Sequence, residues 1–297
     1  MDAADPRQSA YDGRAATSPA PGWYADPASR YRWRFWDGRS WTDGVSDGVR
    51  VLTEPLPRPD VDRRVQLPFR AIWWALGGIV AGELFGALLA YLADLASDDR
   101  FVAELIASQL GLWAGFAGAI TGVSRRYGTG RLLPDFGVRM RPGDQWVGLG
   151  ASVLMRLAGM LALLPLVLVF SHYFDHAPRS GGPFDGSDGD TGAVITVAVI
   201  AAIGAPFIEE ILFRGVVMGA LRRFGRWRAI VLQGLVFGAV HLQPTAGRAN
   251  ILTFVAIAVG GFGLGWLADH YRRLGPGMWA HFFFNLLAVA IVLTFSF

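Results

Sequence analysis

From Phe69 onward the chain is dominated by apolar segments of a length that a soluble core does not require. They run approximately over 69–93, 101–123, 146–170, 191–222 with Pro206 inside, 229–243, 251–268 and 277–296. A helix needs about 20 residues to cross the hydrocarbon of a bilayer. The first three segments exceed that length, whereas 229–243 is short and requires neighbouring helices to shield its ends. Hydrophobic residues make up 53% of the sequence and charged residues 17%, well under the quarter typical of soluble domains. The pattern predicts an all-α polytopic membrane protein of about seven spans.

Charge between the segments sets their direction. The connections RRYGTGRLLPDFGVRMRPGD, RRFGRWR and DHYRRLG carry most of the arginines, while DLASDDR and HYFDHAPRSGGPFDGSDGD are acidic overall. The two sets alternate, so the positive-inside rule places the N-terminus in the cytoplasm and the C-terminus outside a cell membrane. With a net charge of +3 and arginines in short clusters between apolar runs, a phosphate-tracking surface is absent and no nucleic-acid partner is expected. The chain has no cysteine, which excludes disulfides and thiolate metal sites and leaves His, Asp and Glu as ligands. The first 65 residues contain no apolar h-region, so the first span is expected to target the chain.

Those N-terminal residues divide further. Residues 1–20 lack periodicity and are expected to be disordered. PGWYADPASRYRWRFWDGRSWTDGV, residues 21–45, carries Trp23, Trp33, Trp36 and Trp41. Its charge–aromatic alternation and the Asp37-Gly38 dipeptide predict a small Trp-cored β module with a type I′ hairpin turn. Residues 46–66 are expected to be a linker. Residues 67–190 form accessory transmembrane helices, and 191–297 the candidate catalytic core.

Within that core, APFIEEILFRG places Glu209, Glu210 and Arg214 among lipid-like residues. On a helix Glu210 and Arg214 are four apart and form a natural ion pair, while Glu209 lies about 100° round without that partner. An unexplained carboxylate inside a membrane is a functional candidate; a buried polar network that fixes helix packing is the structural alternative. His241 ends LVFGAVH, and AHFFFNLL places His281 and Asn285 four apart on one helix face. His172, His176 and His270 lie in or beside loops and are expected to be interfacial. Counting from the basic connection between their segments, Glu209 and His241 lie at a common depth near 20 Å. His281 and Asn285 begin closer to the cytoplasmic face, which predicts a cavity extending toward that side. Pro206 is expected to loosen its span just before Glu209.

A carboxylate and an imidazole around water can generate a nucleophile by general-base action. A second imidazole with an amide can donate to the oxyanion that forms when water attacks a peptide carbonyl. The same Glu209, His241 and His281 could instead hold zinc with water as fourth ligand, although HExxH is absent. A proton-coupled transporter and a non-catalytic membrane scaffold are the competing readings.

Glu209-Glu210-x-x-x-Arg214, Phe237-x-x-x-His241 and His281-x-x-x-Asn285, in that order on successive apolar segments, resemble the three motifs of the CAAX protease and bacteriocin-processing (Abi) family, which includes the Rce1-type prenyl protein proteases. The resemblance covers about 191–297. It implies an intramembrane endopeptidase in which Glu209 and His241 activate water, His281 and Asn285 serve the oxyanion, and Glu210 and Arg214 assist or hold the architecture. It leaves open a metal-independent mechanism or a zinc-dependent one, and implies a membrane-associated peptide or protein substrate. Gly22 to Thr42 resembles a Trp-rich module of unknown function common on actinobacterial membrane proteins, for which a cytoplasmic protein or lipid-headgroup contact is the binding role to be considered.

Overall fold

The computed structural model describes residues 19–27, 31–54, 67–96, 100–174, 195–196, 198–243 and 246–296. Residues 1–18 of the expected disordered segment 1–20, residues 55–66 of the expected linker 46–66 and the acidic loop around His176 lie outside these residues. The chain divides into two compact units, residues 1–62 and 63–297.

The first unit is an antiparallel sheet of four strands in sequence order: β1 (Gly22–Ala25), β2 (Trp33–Trp36), β3 (Trp41–Ser46) and β4 (Val51–Thr53). It therefore runs past residue 45, into the segment expected to be linker. The Asp37-Gly38 turn is not a two-residue type I′ turn. Trp36 pairs with Trp41 across a four-residue loop, 37–40, with Gly38 at φ +93°. Asp37 Oδ1 accepts from the backbone N–H groups of Arg39 (2.7 Å) and Ser40 (2.6 Å), which ties down the longer loop.

Nor is the module cored by its tryptophans. Trp23 is 41% exposed, and Trp33, Trp36 and Trp41 are only half-buried. The fully buried centre is Arg34 beside Val45. Arg34 Nε donates to Asp26 Oδ1 at 2.8 Å, and its Nη1 donates to the carbonyls of Thr42 (3.0 Å) and Glu54 (2.7 Å). One guanidinium thus ties the segment after β1 to strand β3 and to the end of β4. The aromatics flank it in edge-to-face pairs, Trp23 with Phe35 and Trp36 with Trp41.

The second unit is all-α. Its helices are α1 (Ile72–Ala96), α2 (Arg100–Tyr127), the short α3 (Leu132–Phe136), α4 (Asp144–Phe174), α5 (200–221), α6 (Arg226–Ala239), α7 (Ala249–His270) and α8 (Gly275–Ser296). Among the described residues four stretches are long and apolar enough to cross a membrane: Phe69–Ala96, Phe101–Tyr127, Asp144–Phe170 and Ala249–His270. The chain is an all-α polytopic membrane protein with a small N-terminal β module.

Small residues let α1 and α2 meet backbone to backbone. Gly78, Gly82 and Gly86 recur every fourth residue. A Cβ at Gly78 would lie 2.7 Å from the Gly115 carbonyl oxygen, and one at Gly82 would lie 2.8 Å from that of Leu112. This is the close approach that small-xxx-small spacing permits where lipid supplies no hydrophobic drive. The far side of this hairpin receives α5, whose Leu212, Phe213 and Val216 pack with Ala75, Phe116 and Val123 in the main core. On the other side α8 packs against α4, and α7 against α4 and α6.

Between α2 and α4, buried Asp135 accepts from Ser124 Oγ (2.5 Å) and from Thr129 Oγ1 (2.6 Å) and its backbone N–H. Burial pushes its carboxyl up, but these donors outweigh it and hold the group below the usual carboxylate range. At the same end, Arg273 pairs with Asp144, while Asp269 takes Arg222 at 2.8 Å and Arg226 at 2.5 Å. The basic connections are thereby stitched together at one end of the bundle.

Candidate functional site

The helix that carries the glutamates is not a uniform α-helix. Residues Ile200–Gly204 are π-helical, Ala205–Glu209 α-helical, Glu210–Val217 π-helical and Met218–Leu221 α-helical again. Pro206 has no N–H to donate back, and the wider π turn before it absorbs the missing bond. The second change of winding falls between Glu209 and Glu210, so the two carboxylates leave the helix where its geometry shifts.

Glu210 and Arg214 are both fully buried, with Arg214 Nη1 3.0 Å from Glu210 Oε1. The same Glu210 Oε1 also accepts a 3.0 Å hydrogen bond from His281 Nδ1. Gly277, one helical turn before His281, makes that approach feasible: a Cβ there would stand 3.0 Å from Glu210 Oε2. Arg214 in turn lies over the ring of Phe237, its Cζ 4.2 Å from the centroid. Phe237 touches both imidazoles edge to face, with centroids 4.6 Å from His241 and 5.6 Å from His281.

Glu209 is differently placed. Its Oε2 is buried without a hydrogen-bond partner among the described residues and lies 4.0 Å from His241 Nε2 and 3.9 Å from His281 Nε2. Each imidazole is oriented from behind: His241 Nδ1 donates to the Phe237 carbonyl at 2.7 Å, as His281 Nδ1 does to Glu210. Each Nδ1 is thereby committed behind its ring, and each Nε2 faces Glu209.

A cavity of about 480 Å³ opens on this cluster, with Glu209, His241, His281 and Asn285 among its lining residues. Apart from Phe237 and Leu264, it reaches away from the basic loops rather than toward them as expected. Its further walls are Leu105, Ile200, Gln243 and Val289, all on the side of Glu209 away from those loops. Two features explain the reversal. The layer formed by Glu210, Arg214, Phe213 and Phe237 is buried and closes the basic side. In addition, α8 begins deep in the bundle, with Arg273, Leu274 and Met278 all buried, so counting residues from the loop places His281 too shallow.

The six expected site residues thus come together from α5, the end of α6 and α8. Gln109 and Gln243 also line the cavity and were missed. Gln109 is a polar residue inside an apolar span, a signal open to the same reasoning that singled out Glu209. Gln243 lies in a connection and carries no such mark. Of the histidines assigned to interfaces, His270 ends α7 stacked on Trp266 with centroids 4.7 Å apart, while His176 and the side chain of His172 lie outside what is described.

Glu209, His241 and His281 also bear on the zinc alternative. Tetrahedral ligands about 2.0 Å from zinc stand roughly 3.3 Å from one another, closer than the 3.9 and 4.0 Å found here. Among the described residues no group of three or more His, Asp or Glu is arranged to hold a metal ion. A water within hydrogen-bond reach of Glu209 Oε2 and either Nε2 also fits these separations.

No curated protein and no solved structure was found to match the chain. Two family models do match parts of it: residues 191–287 fit that of the type II CAAX prenyl endopeptidases, Rce1-like, and residues 21–56 that of a protein of unknown function, DUF2510. All six residues of the cluster lie inside the first match, so the chain joins a segment similar to the Rce1-like CAAX endopeptidases to one similar to DUF2510.

Proposed function

We propose that the chain is an intramembrane endopeptidase that hydrolyses a peptide bond of a membrane-associated protein or peptide. The observation that carries this reading is the bare Oε2 of Glu209, facing two imidazole nitrogens at 3.9 and 4.0 Å at the end of a membrane-buried cavity. Water held between Glu209 and His241 loses a proton to Glu209 as its oxygen attacks the substrate carbonyl. The tetrahedral oxyanion is met by the amide of Asn285. His281 has its Nδ1 committed to Glu210, so it can donate to the oxyanion from Nε2 only when doubly protonated. Collapse expels the amine, which takes back the proton held by Glu209. Glu210 and Arg214 orient His281 and do not touch substrate.

The positive-inside rule, applied to the arginines at the ends of α2, α5 and α7, supports a cytoplasmic N-terminal module. The cavity then opens toward the outer half of the bilayer. Internally quenched peptides ending in a CAAX sequence, farnesylated and unmodified, provide the probe in proteoliposomes. The wild type is expected to cleave at least one form and to keep doing so after exhaustive chelation. Cleavage of neither form would count against the reading, and a stoichiometric metal lost together with activity would convert Glu209, His241 and His281 into ligands.

A further inference from the structure

Arg156 lies near the middle of α4, 12 residues from its start at Asp144, in a span outside the segment that matches the peptidase model. Guanidinium groups are costly inside a bilayer and are kept there for a reason. Among the described residues no carboxylate pairs with this one. Its hydrogen bond and its cation–π contact both go to Phe284 of α8: Nη2 donates to the backbone carbonyl, and Cζ stands 3.7 Å from the ring centroid.

Phe284 is three residues after His281 and one before Asn285, on the turn that presents both to the cavity, and it lines the cavity itself. Helix α7 approaches the tip of the same ring, since a Cβ at Gly260 would lie 3.2 Å from its Cζ. Phe284 thus has a cation of α4 over its face and the bare backbone of α7 at its tip. Side chains reach about 5–6 Å from a helix axis, so a 10° rotation of α8 would move the imidazole of His281 by roughly 1 Å. A displacement of that size is enough to spoil a reacting geometry.

We infer that Arg156 is a positioning residue for the peptidase reaction: by holding the Phe284 carbonyl and ring, it sets the rotation of α8 that brings His281 and Asn285 to Glu209. The inference rests on the proposed peptidase function, but its structural half can be tested without cleavage. Arg156→Met keeps an unbranched chain of similar reach and removes the charge, and is expected to leave the thermal midpoint unchanged or raised. With the farnesylated and unmodified CAAX peptides as probes, its kcat should fall about 10- to 100-fold while KM stays within about threefold. Arg156→Lys, which can still place a cation on the carbonyl and ring, should recover most of the lost kcat.

With ¹⁵N-histidine labelling, the Nδ1–H resonance of His281 should shift in Arg156→Met, while that of His241, anchored on Phe237, should not. A kcat within threefold of wild type, equal losses in the Met and Lys variants, or an unmoved His281 resonance would overturn the assignment. If the wild type cleaves neither peptide, the peptidase reading fails and the His281 resonance alone decides the role of Arg156.

Discussion

Both units of the chain bury an arginine beside a carboxylate, and they use the pair differently. In the β module Arg34 and Asp26 close on each other, and the guanidinium spends further donors on backbone carbonyls. Both side chains of that pair are shut away from solvent. In the bundle Arg214 and Glu210 close in the same way, but the preceding residue, Glu209, is left with a bare oxygen at the end of a cavity. A closed buried pair holds architecture, because removing either partner strands a charge. An open carboxylate costs stability and can act as a base.

If the pair in each unit is structural, breaking it should unfold its own unit. Arg34→Met should cost about 3 to 5 kcal/mol in the isolated sheet, more than a module of its size is expected to spare. Loss of its near-ultraviolet aromatic signal should be complete, with cleavage by the spanning core within twofold of wild type. Arg214→Met should strike the bundle instead, lowering membrane abundance and thermal midpoint along with activity. A stable and fully active Arg214→Met protein would place Arg214 outside the scaffold.

Packing provides a second contrast of smaller size. The sheet tolerates half-exposed aromatics, whereas α1 and α2 touch through bare backbone. Gly82→Leu should cost about 1 to 3 kcal/mol by overpacking, read as a lowered thermal midpoint in detergent. A change at exposed Gly77, where a Cβ meets nothing within 4 Å, serves as the control.

The smallest effect concerns Asp135, whose carboxyl is held below its ordinary range by Ser124 and Thr129. Such a group contributes stability above its unfolded pKa of about 3.9 and loses it as the pH falls through the folded value. Ser124→Ala should therefore cost about 1 kcal/mol at pH 7, a difference that shrinks below about pH 4. A constant difference from pH 7 to pH 3 would assign the effect to packing.

The sequence exposed the site more fully than the frame around it. Glu210 and Arg214 are local partners at a spacing any helix brings together, and segment direction brought Glu209 level with His241. The direction of the cavity was hidden because α8 starts inside the bundle, which no residue count from a loop reveals. The buried Arg34 was hidden for another reason: in YRWRFW the charged positions look like the solvent face of a half-buried strand, and only its contacts with Asp26, Thr42 and Glu54 show otherwise. Arg156 was visible as a cation in a span, but its partner is a carbonyl and a ring, neither of which is marked by charge.

The central claim is that two adjacent glutamates, one open and one closed, divide chemistry from scaffolding. Comparing Glu209→Gln with Glu210→Gln in one cleavage assay on purified protein, with thermal midpoints alongside, tests it most directly. Glu209→Gln should cleave about 10²- to 10⁴-fold more slowly at an unchanged midpoint, whereas Glu210→Gln should lower the midpoint and lose activity in step with it. A Glu209→Gln enzyme retaining more than about a tenth of the wild-type rate, or a Glu210→Gln enzyme that is as stable and as active as the wild type, would contradict the account.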